Sequence, residues 1–256
     1  MILLFFFILG SIWGSFSNVC IYRLPINDGI ALSRSSCPSC KKVIKWYDNI
    51  PLISYIVLKA KCRNCDFQIS SQYFIVELLT AISFALVYFI FGLSTTTVIL
   101  LILIVFFVII FFIDLKHYII PNQLTFPLMF IGFVKSFDPN LNQALFPNYL
   151  NSLIGGLTGY FIIWLIIFLY KKVRNKEGMG LGDAKLLSAI GFWFGWMSIP
   201  FVIFFSSLIA LIFVIPSLVK KSRNLSTEIP FGPYLIIGCL IFIIFGNDLK
   251  LILFTL

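Results

Sequence analysis

Four cysteines stand in two closely spaced pairs in the first quarter of the chain. Cys37 and Cys40 form the first pair, and Cys62 and Cys65 follow after 21 intervening residues. Two C-x-x-C pairs at such a spacing are typical of a zinc site with four thiolate ligands. Redox-active thiols and disulfides are the alternatives, and the spacing favours zinc. Because four protein ligands leave no open coordination position, we expect this zinc to be structural and not catalytic.

Two aspartates lie at the ends of long apolar runs. Asp114 follows the apolar run 98–113, and Asp183 ends the segment Gly178-Met-Gly-Leu-Gly-Asp directly before another apolar run. Ionisable groups at membrane depth are costly, so each is a candidate functional residue. Two carboxyl groups that share one proton hydrolyse a peptide bond without a metal ion, because one polarises the scissile carbonyl while the other deprotonates a water. A catalytic pair is therefore one interpretation, and ion transport or a structural pairing are the others.

Three further residues are candidates for functional roles. Gly180 and Gly182 lack a Cβ atom, which lets the backbone leave helical geometry and lets a substrate strand come close, so we predict an active-site loop there. Glu77 begins the apolar segment that follows the cysteine pairs. Either a Lys or Arg of the neighbouring segment satisfies this acid, or it belongs to a second active site.

The elements that carry these residues are membrane helices. The chain has 256 residues, of which 60% are apolar and 11% charged, whereas soluble domains have about 25% charged residues. This composition excludes a water-soluble globular protein. The net charge of +9 does not indicate nucleic acid, because the basic residues lie between apolar runs instead of along one folded face. We expect lipid as the surrounding partner.

Eight apolar runs approach the roughly 20 residues that a membrane span needs. They cover residues 1–22, 73–92, 97–115, 119–135, 149–170, 184–199, 200–218 and 232–252. If the spans alternate, one side of the membrane carries 17 of the 19 basic residues, which leaves Lys135 and Lys250 on the other. The positive-inside rule makes the basic side cytoplasmic and places both termini outside. We expect the first run to be a retained span, since no basic residue precedes it.

The predicted fold is thus an all-α polytopic membrane protein with about eight transmembrane helices and a small cytoplasmic four-cysteine zinc-binding insert. The string Gly155-Gly-Leu-Thr-Gly159 predicts close packing of the fifth span against a neighbour.

Several strings together resemble one known family. They are Gly14-Ser-Phe-Ser-Asn-Val-Cys-Ile-Tyr-Arg-Leu-Pro25, the two cysteine pairs, Asn49-Ile-Pro-Leu-Ile-Ser-Tyr55, Val76-Glu-Leu-Leu79, Asp114 with Ile120-Pro121, Met179-Gly-Leu-Gly-Asp-Ala-Lys-Leu-Leu187 and Pro230-Phe-Gly-Pro233. In this order they resemble the type IV prepilin peptidases, also called prepilin leader peptidases/N-methyltransferases, which are membrane aspartic proteases with a Gly-x-Gly-Asp motif.

The resemblance implies an enzyme of the bacterial inner membrane. It implies that Asp114 and Asp183 cleave the basic leader from type IV prepilins or type II secretion pseudopilins at the cytoplasmic face, with no metal at the peptidase site. It also implies N-methylation of the new N-terminus with S-adenosylmethionine, for which Glu77 is a candidate residue. A peptidase-only enzyme with a structural zinc insert is the first alternative. An ion-coupled transporter and a zinc-bearing scaffold without activity are the others.

On this interpretation the chain has three parts. Residues 1–22 are the first transmembrane helix, residues 23–72 are the cytoplasmic tetracysteine insert linked to methyl transfer, and residues 73–256 are the transmembrane aspartic peptidase domain.

Overall fold

The computed structural model describes residues 1–26, 35–141, 145–174, 180–219 and 229–254, and it describes their side chains except at 216–219 and 247–254. Residues 27–34 of the predicted insert lie outside this range, as do Met179 of the motif string and the basic residues of 175–179 and 220–228 that entered the orientation argument.

Nine α-helices make up most of the described chain. They are α1 (Ile2–Arg23), α2 (Ile53–Val57), α3 (Ser71–Phe91), α4 (Thr95–His117), α5 (Asn122–Val134), α6 (Tyr149–Arg174), α7 (Leu181–Phe194), α8 (Ser198–Val219) and α9 (Gly232–Phe254). Short 3-10 turns lie at Leu24–Ile26, Trp46–Asn49 and Lys135–Phe137. The only β-structure in the described residues is two isolated bridges, Ser36 to Val43 and Lys61 to Gln68.

The all-helical membrane fold is confirmed, and the predicted count of eight spans is matched only roughly. Every predicted span overlaps a helix, but within the described residues five helices, α1, α3, α4, α6 and α8, are long and apolar enough to cross a membrane. Helices α5 and α7 have 13 and 14 residues, and at 1.5 Å per residue each is about 20 Å long, short of the roughly 30 Å of a hydrocarbon core. Helix α9 is apolar over Gly232–Gly246, the part of the helix whose side chains the structure describes.

The chain forms two compact units, residues 1–109 and 110–256. In the first unit, α1 and α3 run antiparallel in close contact. A Cβ added at Gly10 would lie 2.8 Å from the Ala81 backbone, and one added at Gly14 would lie 2.7 Å from the Cα of Glu77. Because neither position has room for a side chain, glycine allows the two backbones to touch and brings Glu77 against α1.

In the second unit, α7 is the central helix. It runs antiparallel to α6, where a Cβ at Gly155 would lie 2.4 Å from the Gly191 carbonyl oxygen, so the close packing predicted for the glycine string is confirmed. The Ser188 hydroxyl also donates to the Gly156 carbonyl, at 2.8 Å. Against α5, the Trp193 indole donates to the Leu128 carbonyl at 2.8 Å. These contacts fix the helix whose first turn carries Asp183.

Candidate active site and metal centre

Asp114 lies in the last turn of α4 and is buried, with 4% of its surface exposed. The helix ends three residues later, where Tyr118 adopts φ +57° and donates its N–H to the Asp114 carbonyl at 2.9 Å. The Asp114 side chain accepts a hydrogen bond at Oδ2 from the backbone N–H of Gly232, at 3.0 Å. The first turn of α9 thereby holds this carboxyl group in place.

Asp183 lies in the first turn of α7 and is also buried, with 8% exposed. Gly180 precedes the helix with φ −80° and ψ 146°, and its carbonyl accepts from the Asp183 N–H at 3.2 Å. Beside Asp183, Lys185 donates to the Asn122 side chain at 2.7 Å and so ties the start of α7 to α5.

The two aspartates share one neighbourhood, because Gly182, which precedes Asp183, and Gly232, which binds Asp114, both lie against Ile120. Ile120 fills the space between their supporting glycines. A Cβ at Gly182 would lie 3.0 Å from Ile120, and a Cβ at Gly232 would lie 3.1 Å from Ile120 and 2.6 Å from the Asp114 carboxyl oxygen. Gly180 and Gly182 were predicted to form an active-site loop. Gly180 is extended and lies before the helix, whereas Gly182 lies within the first turn of α7. Ile120 and Gly232 occur in the motif strings, but their contacts with the acids become visible only in the fold.

The cysteine pairs form two knuckles with the same backbone pattern. In the first, the Lys41 N–H donates to the Cys37 carbonyl and the Cys37 N–H donates to the Lys42 carbonyl. In the second, Asp66, Cys62 and Phe67 make the equivalent bonds, which are 2.9–3.0 Å long in both knuckles. Lys41 and Asp66 adopt left-handed φ values of +58° and +53°. Each knuckle is closed by an isolated bridge, so both pairs of sulfurs are presented in the same way.

The four sulfurs converge as a metal site requires. All four ligand atoms lie within 4.8 Å of one another, and the Cys37 and Cys65 sulfurs are 3.7 Å apart. Tetrahedral zinc with Zn–S bonds of about 2.3 Å sets its sulfurs about 3.8 Å apart, so the residues fit this metal. A backbone hydrogen bond at Cys40 is the largest cause that lowers the pKa of the Cys37 thiol to about 7, which favours the thiolate form that binds metal.

An ion pair supports the second knuckle. Arg63 donates to Asp48 through Nε and Nη2, with a shortest distance of 2.6 Å. This hydrogen bond with Arg63 holds the pKa of Asp48 below its usual range. The pair joins the loop between Cys62 and Cys65 to the 3-10 turn Trp46–Asn49.

Glu77 is buried on α3, with 8% exposed. Its carboxyl group accepts from the Leu52 backbone N–H at 2.8 Å, and the Ser15 side chain also hydrogen-bonds to it. The hydrogen-bond partners of this acid are thus a backbone N–H and a hydroxyl, where the sequence suggested a Lys or Arg as one alternative. Leu52 has φ +63°, an unusual backbone conformation for leucine.

Comparison with known proteins finds family matches in both halves of the chain. Residues 8–91 match the bacterial peptidase A24 N-terminal domain, and residues 101–215 match the type IV leader peptidase family. A prepilin leader peptidase/N-methyltransferase of Xanthomonas campestris pv. campestris is 38% identical, covering 94% of this chain and 90% of the relative. Enzymes of the same name from Aeromonas salmonicida and Pseudomonas aeruginosa are 35% and 33% identical, covering 92% and 94% of this chain and 88% and 90% of the relatives. No solved structure matches the chain.

Proposed function

Because the chain belongs to the type IV leader peptidase family, we propose that it cleaves the leader from prepilins or pseudopilins with Asp114 and Asp183 as its catalytic carboxyl groups. The observation that carries the proposal is their shared neighbourhood, in which Gly232 holds Asp114, and Ile120 contacts both Gly232 and Gly182, the residue before Asp183. The two buried acids come from helices that lie far apart in the sequence.

The geometry supports a division of labour between the acids. The Gly232 N–H donates to Asp114 and so favours a negative charge there. Asp183 then carries the shared proton and hydrogen-bonds to the scissile carbonyl, while Asp114 deprotonates the attacking water. When the tetrahedral intermediate collapses, the leaving amine takes a proton from the pair. This mechanism needs no metal ion.

The substrate requires that cleavage occurs at the membrane surface. Asp114 is in the last turn of its long apolar helix, and Asp183 is in the first turn of α7. The protein is a multi-pass inner-membrane protein, and the distribution of basic residues supports a cytoplasmic active site with both termini outside. We place the cysteine insert on the same cytoplasmic side, since its segment carries eight of the basic residues.

Zinc is the metal that the four-cysteine cluster fits best. Cys37, Cys40, Cys62 and Cys65 would hold it, and the ion would fix the fold of residues 23–72 without entering the peptidase reaction. So short a segment cannot bury enough apolar surface to fold alone.

Methyl transfer is the second activity of the enzyme, and Glu77 is the candidate residue for it. S-adenosylmethionine supplies an electrophilic methyl group when bound. A buried carboxylate such as Glu77 fits a cationic reactant, and its bond to the Leu52 N–H joins it to the cysteine insert. This bond supports the proposed link between the insert and methylation, and Glu77 itself lies in residues 73–256, the part that we propose as the peptidase domain.

The experiment incubates the purified full-length protein with a prepilin, with and without the methyl donor, and weighs the products by mass spectrometry. Asp114→Asn and Asp183→Asn should each lower the cleavage rate by roughly 10²- to 10⁴-fold while the protein still accumulates. Asp138→Asn is the matched control, because Asp138 is an exposed loop acid. Cleavage at the wild-type rate by either active-site variant refutes the pair. Cleavage without methylation in the wild type supports the peptidase-only alternative.

A further inference from the structure

Asn18 holds an unpaired oxygen in the interior of the first unit. Its amide nitrogen donates to the Tyr73 carbonyl at 3.0 Å. Since a carbonyl oxygen only accepts, this bond fixes the orientation of the amide and turns Oδ1 the other way. Oδ1 is the one buried side-chain nitrogen or oxygen without a hydrogen-bond partner among the residues that the structure describes.

An unpaired buried acceptor is costly, so a native fold keeps one only for a reason. Asn18 is 4% exposed. Other buried polar groups on the same two helices satisfy themselves locally. The Ser17 hydroxyl donates to the Trp13 carbonyl at 2.8 Å, and the Thr80 hydroxyl donates to the Val76 carbonyl at 2.7 Å. The Asn18 oxygen is therefore free to accept a hydrogen bond from a donor outside the described residues.

Glu77 and Asn18 lie at the same contact between α1 and α3. Ser15, which hydrogen-bonds to Glu77, is three residues before Asn18 and shares a face of α1 with it. Tyr73, which accepts from Asn18, is four residues before Glu77 and shares a face of α3 with it. Because α1 and α3 touch at Gly14, Asn18 and Glu77 are about one helical turn apart along the helices.

Two neighbouring acceptors, one of them a carboxylate, suit a ligand that is cationic and has several N–H donors. We propose that Asn18 Oδ1 and the Glu77 carboxylate form the binding subsite for the α-amino group of the cleaved substrate during methyl transfer. This inference rests on the proposed methyltransferase activity.

The subsite accounts for the protons of the reaction. An α-ammonium group must lose one proton before its nitrogen can attack, and its pKa of about 8 makes this loss easy near neutral pH. Glu77 accepts that proton, while Asn18 Oδ1 accepts a hydrogen bond from an N–H that the amine retains and so orients the nitrogen lone pair. The nitrogen forms a bond to the methyl carbon of a sulfonium donor, the carbon–sulfur bond breaks, and its electron pair stays on sulfur. The second proton leaves from the methylated ammonium to water.

The test measures binding of two peptides to the full-length protein in detergent without any methyl donor. Both carry the mature N-terminal sequence of a cleaved prepilin, one with a free α-amino group and one acetylated. The wild-type protein should prefer the free amine. Asn18→Leu should weaken binding of the free-amine peptide by roughly tenfold and leave the acetylated peptide unchanged. Asn18→Asp keeps an acceptor and should retain the preference.

Thr80→Val is the matched control, since it removes a buried polar group from the same helix pair that is satisfied within its own helix. It should keep the preference for the free amine. The thermal unfolding midpoint and the metal content of each sample report whether the first unit is intact, and Asn18→Ala replaces Asn18→Leu if leucine prevents accumulation. Equal weakening of both peptides by Asn18→Leu would make Asn18 a structural residue and overturn the inference.

A second arm separates the two possible sources of the amine. If Asn18→Leu weakens binding of S-adenosylmethionine and not of the free-amine peptide, the subsite belongs to the methyl donor and the inference is wrong. The proposed function fails in a different way. If the wild type cleaves prepilin and never methylates it, methyl transfer is refuted. The preference for a free amine is a separate result, because it is measured without the methyl donor.

Discussion

Single residues show how far sequence reasoning reaches into the proposed peptidase site. Residue type and apolar context were enough to select Asp114 and Asp183, because a carboxyl group beside a long apolar run is costly unless it has a function. The role of Gly232 was not predictable. Its N–H reaches Asp114 across 118 positions, and a glycine between phenylalanine and proline is equally compatible with a simple turn before a helix.

Gly232→Ala tests whether the geometry of Asp114 depends on this contact. The added Cβ would lie 2.6 Å from the Asp114 carboxyl oxygen and 3.1 Å from Ile120, so the carboxyl group must move. We expect the rate of prepilin cleavage to fall at least about tenfold, mainly through kcat, since a small misplacement of a catalytic group costs rate before it costs binding.

Gly182→Ala is the comparison variant, because its Cβ would meet the Ile120 side chain at 3.0 Å and not a carboxyl oxygen. It should lower kcat less than Gly232→Ala does. Wild-type kcat for Gly232→Ala would show that the contact does not position Asp114.

At the scale of elements, the cysteine spacing predicted the ligand set of the two knuckles but not how the backbone turns around it. Each knuckle places a non-glycine residue, Lys41 or Asp66, in the left-handed region. Glycine is the residue that suits such a position. Because neither position is a glycine, the turn could not be predicted from the sequence.

Lys41→Gly should therefore strengthen the metal site. The left-handed conformation costs a residue with a Cβ roughly 1 kcal/mol, and glycine removes that cost, so removal of the metal should need a higher chelator concentration. Lys42→Gly is the matched control, because Lys42 has no left-handed φ and glycine there only adds flexibility to the unfolded chain. It should lower metal retention. A change of the same sign in both variants would show that the left-handed backbone at Lys41 does not limit the metal site.

The close packing of α6 is the structural feature that the sequence predicted best. The glycine string indicated close packing, and Gly155 indeed has no room for a Cβ beside the Gly191 carbonyl. Which helix would fill the groove was beyond the sequence, because small residues permit an approach without naming the partner.

Gly155→Leu should therefore abolish prepilin cleavage by pushing α6 away from the helix that carries Asp183. Leu157→Phe is the control, since it adds volume to an exposed position of the same helix, and it should cleave normally. Membrane insertion of both variants is checked by their accumulation. Normal cleavage by Gly155→Leu would mean that α7 keeps its place without this contact.

At the scale of the whole molecule, apolar composition predicted the fold class and the order of the helices but not their lengths. Tyr118 ends α4 with a left-handed residue, and Gly195 ends α7 at φ +79°. These stops leave α5 and α7 short. Apolar residues continue past both stops, so hydropathy alone predicted spans longer than α5 and α7.

The two units lead to a last prediction about metal removal. The contacts that hold Asp114 and Asp183 come from Gly232 and Gly180 in residues 110–256. The four cysteines and the Leu52 contact of Glu77 lie in residues 1–109. Stripping the metal with a chelator should unfold the insert and abolish methyl transfer, because metal binding supplies much of the folding free energy of so small a segment. Prepilin cleavage should persist within about a factor of ten, far less than the loss expected from removing a catalytic acid.

The measurement follows metal content, cleaved product and methylated product in the same sample. Cys40→Ser should reproduce the effect of the chelator, whereas Cys20→Ala should retain the metal, because Cys20 is buried in α1 away from the cluster. Adding zinc back should restore methylation to the chelated wild type and not to Cys40→Ser. Loss of cleavage in proportion to the metal would show instead that the insert supports the peptidase carboxyl groups, and the predicted division of the chain at residue 72 would have to be abandoned.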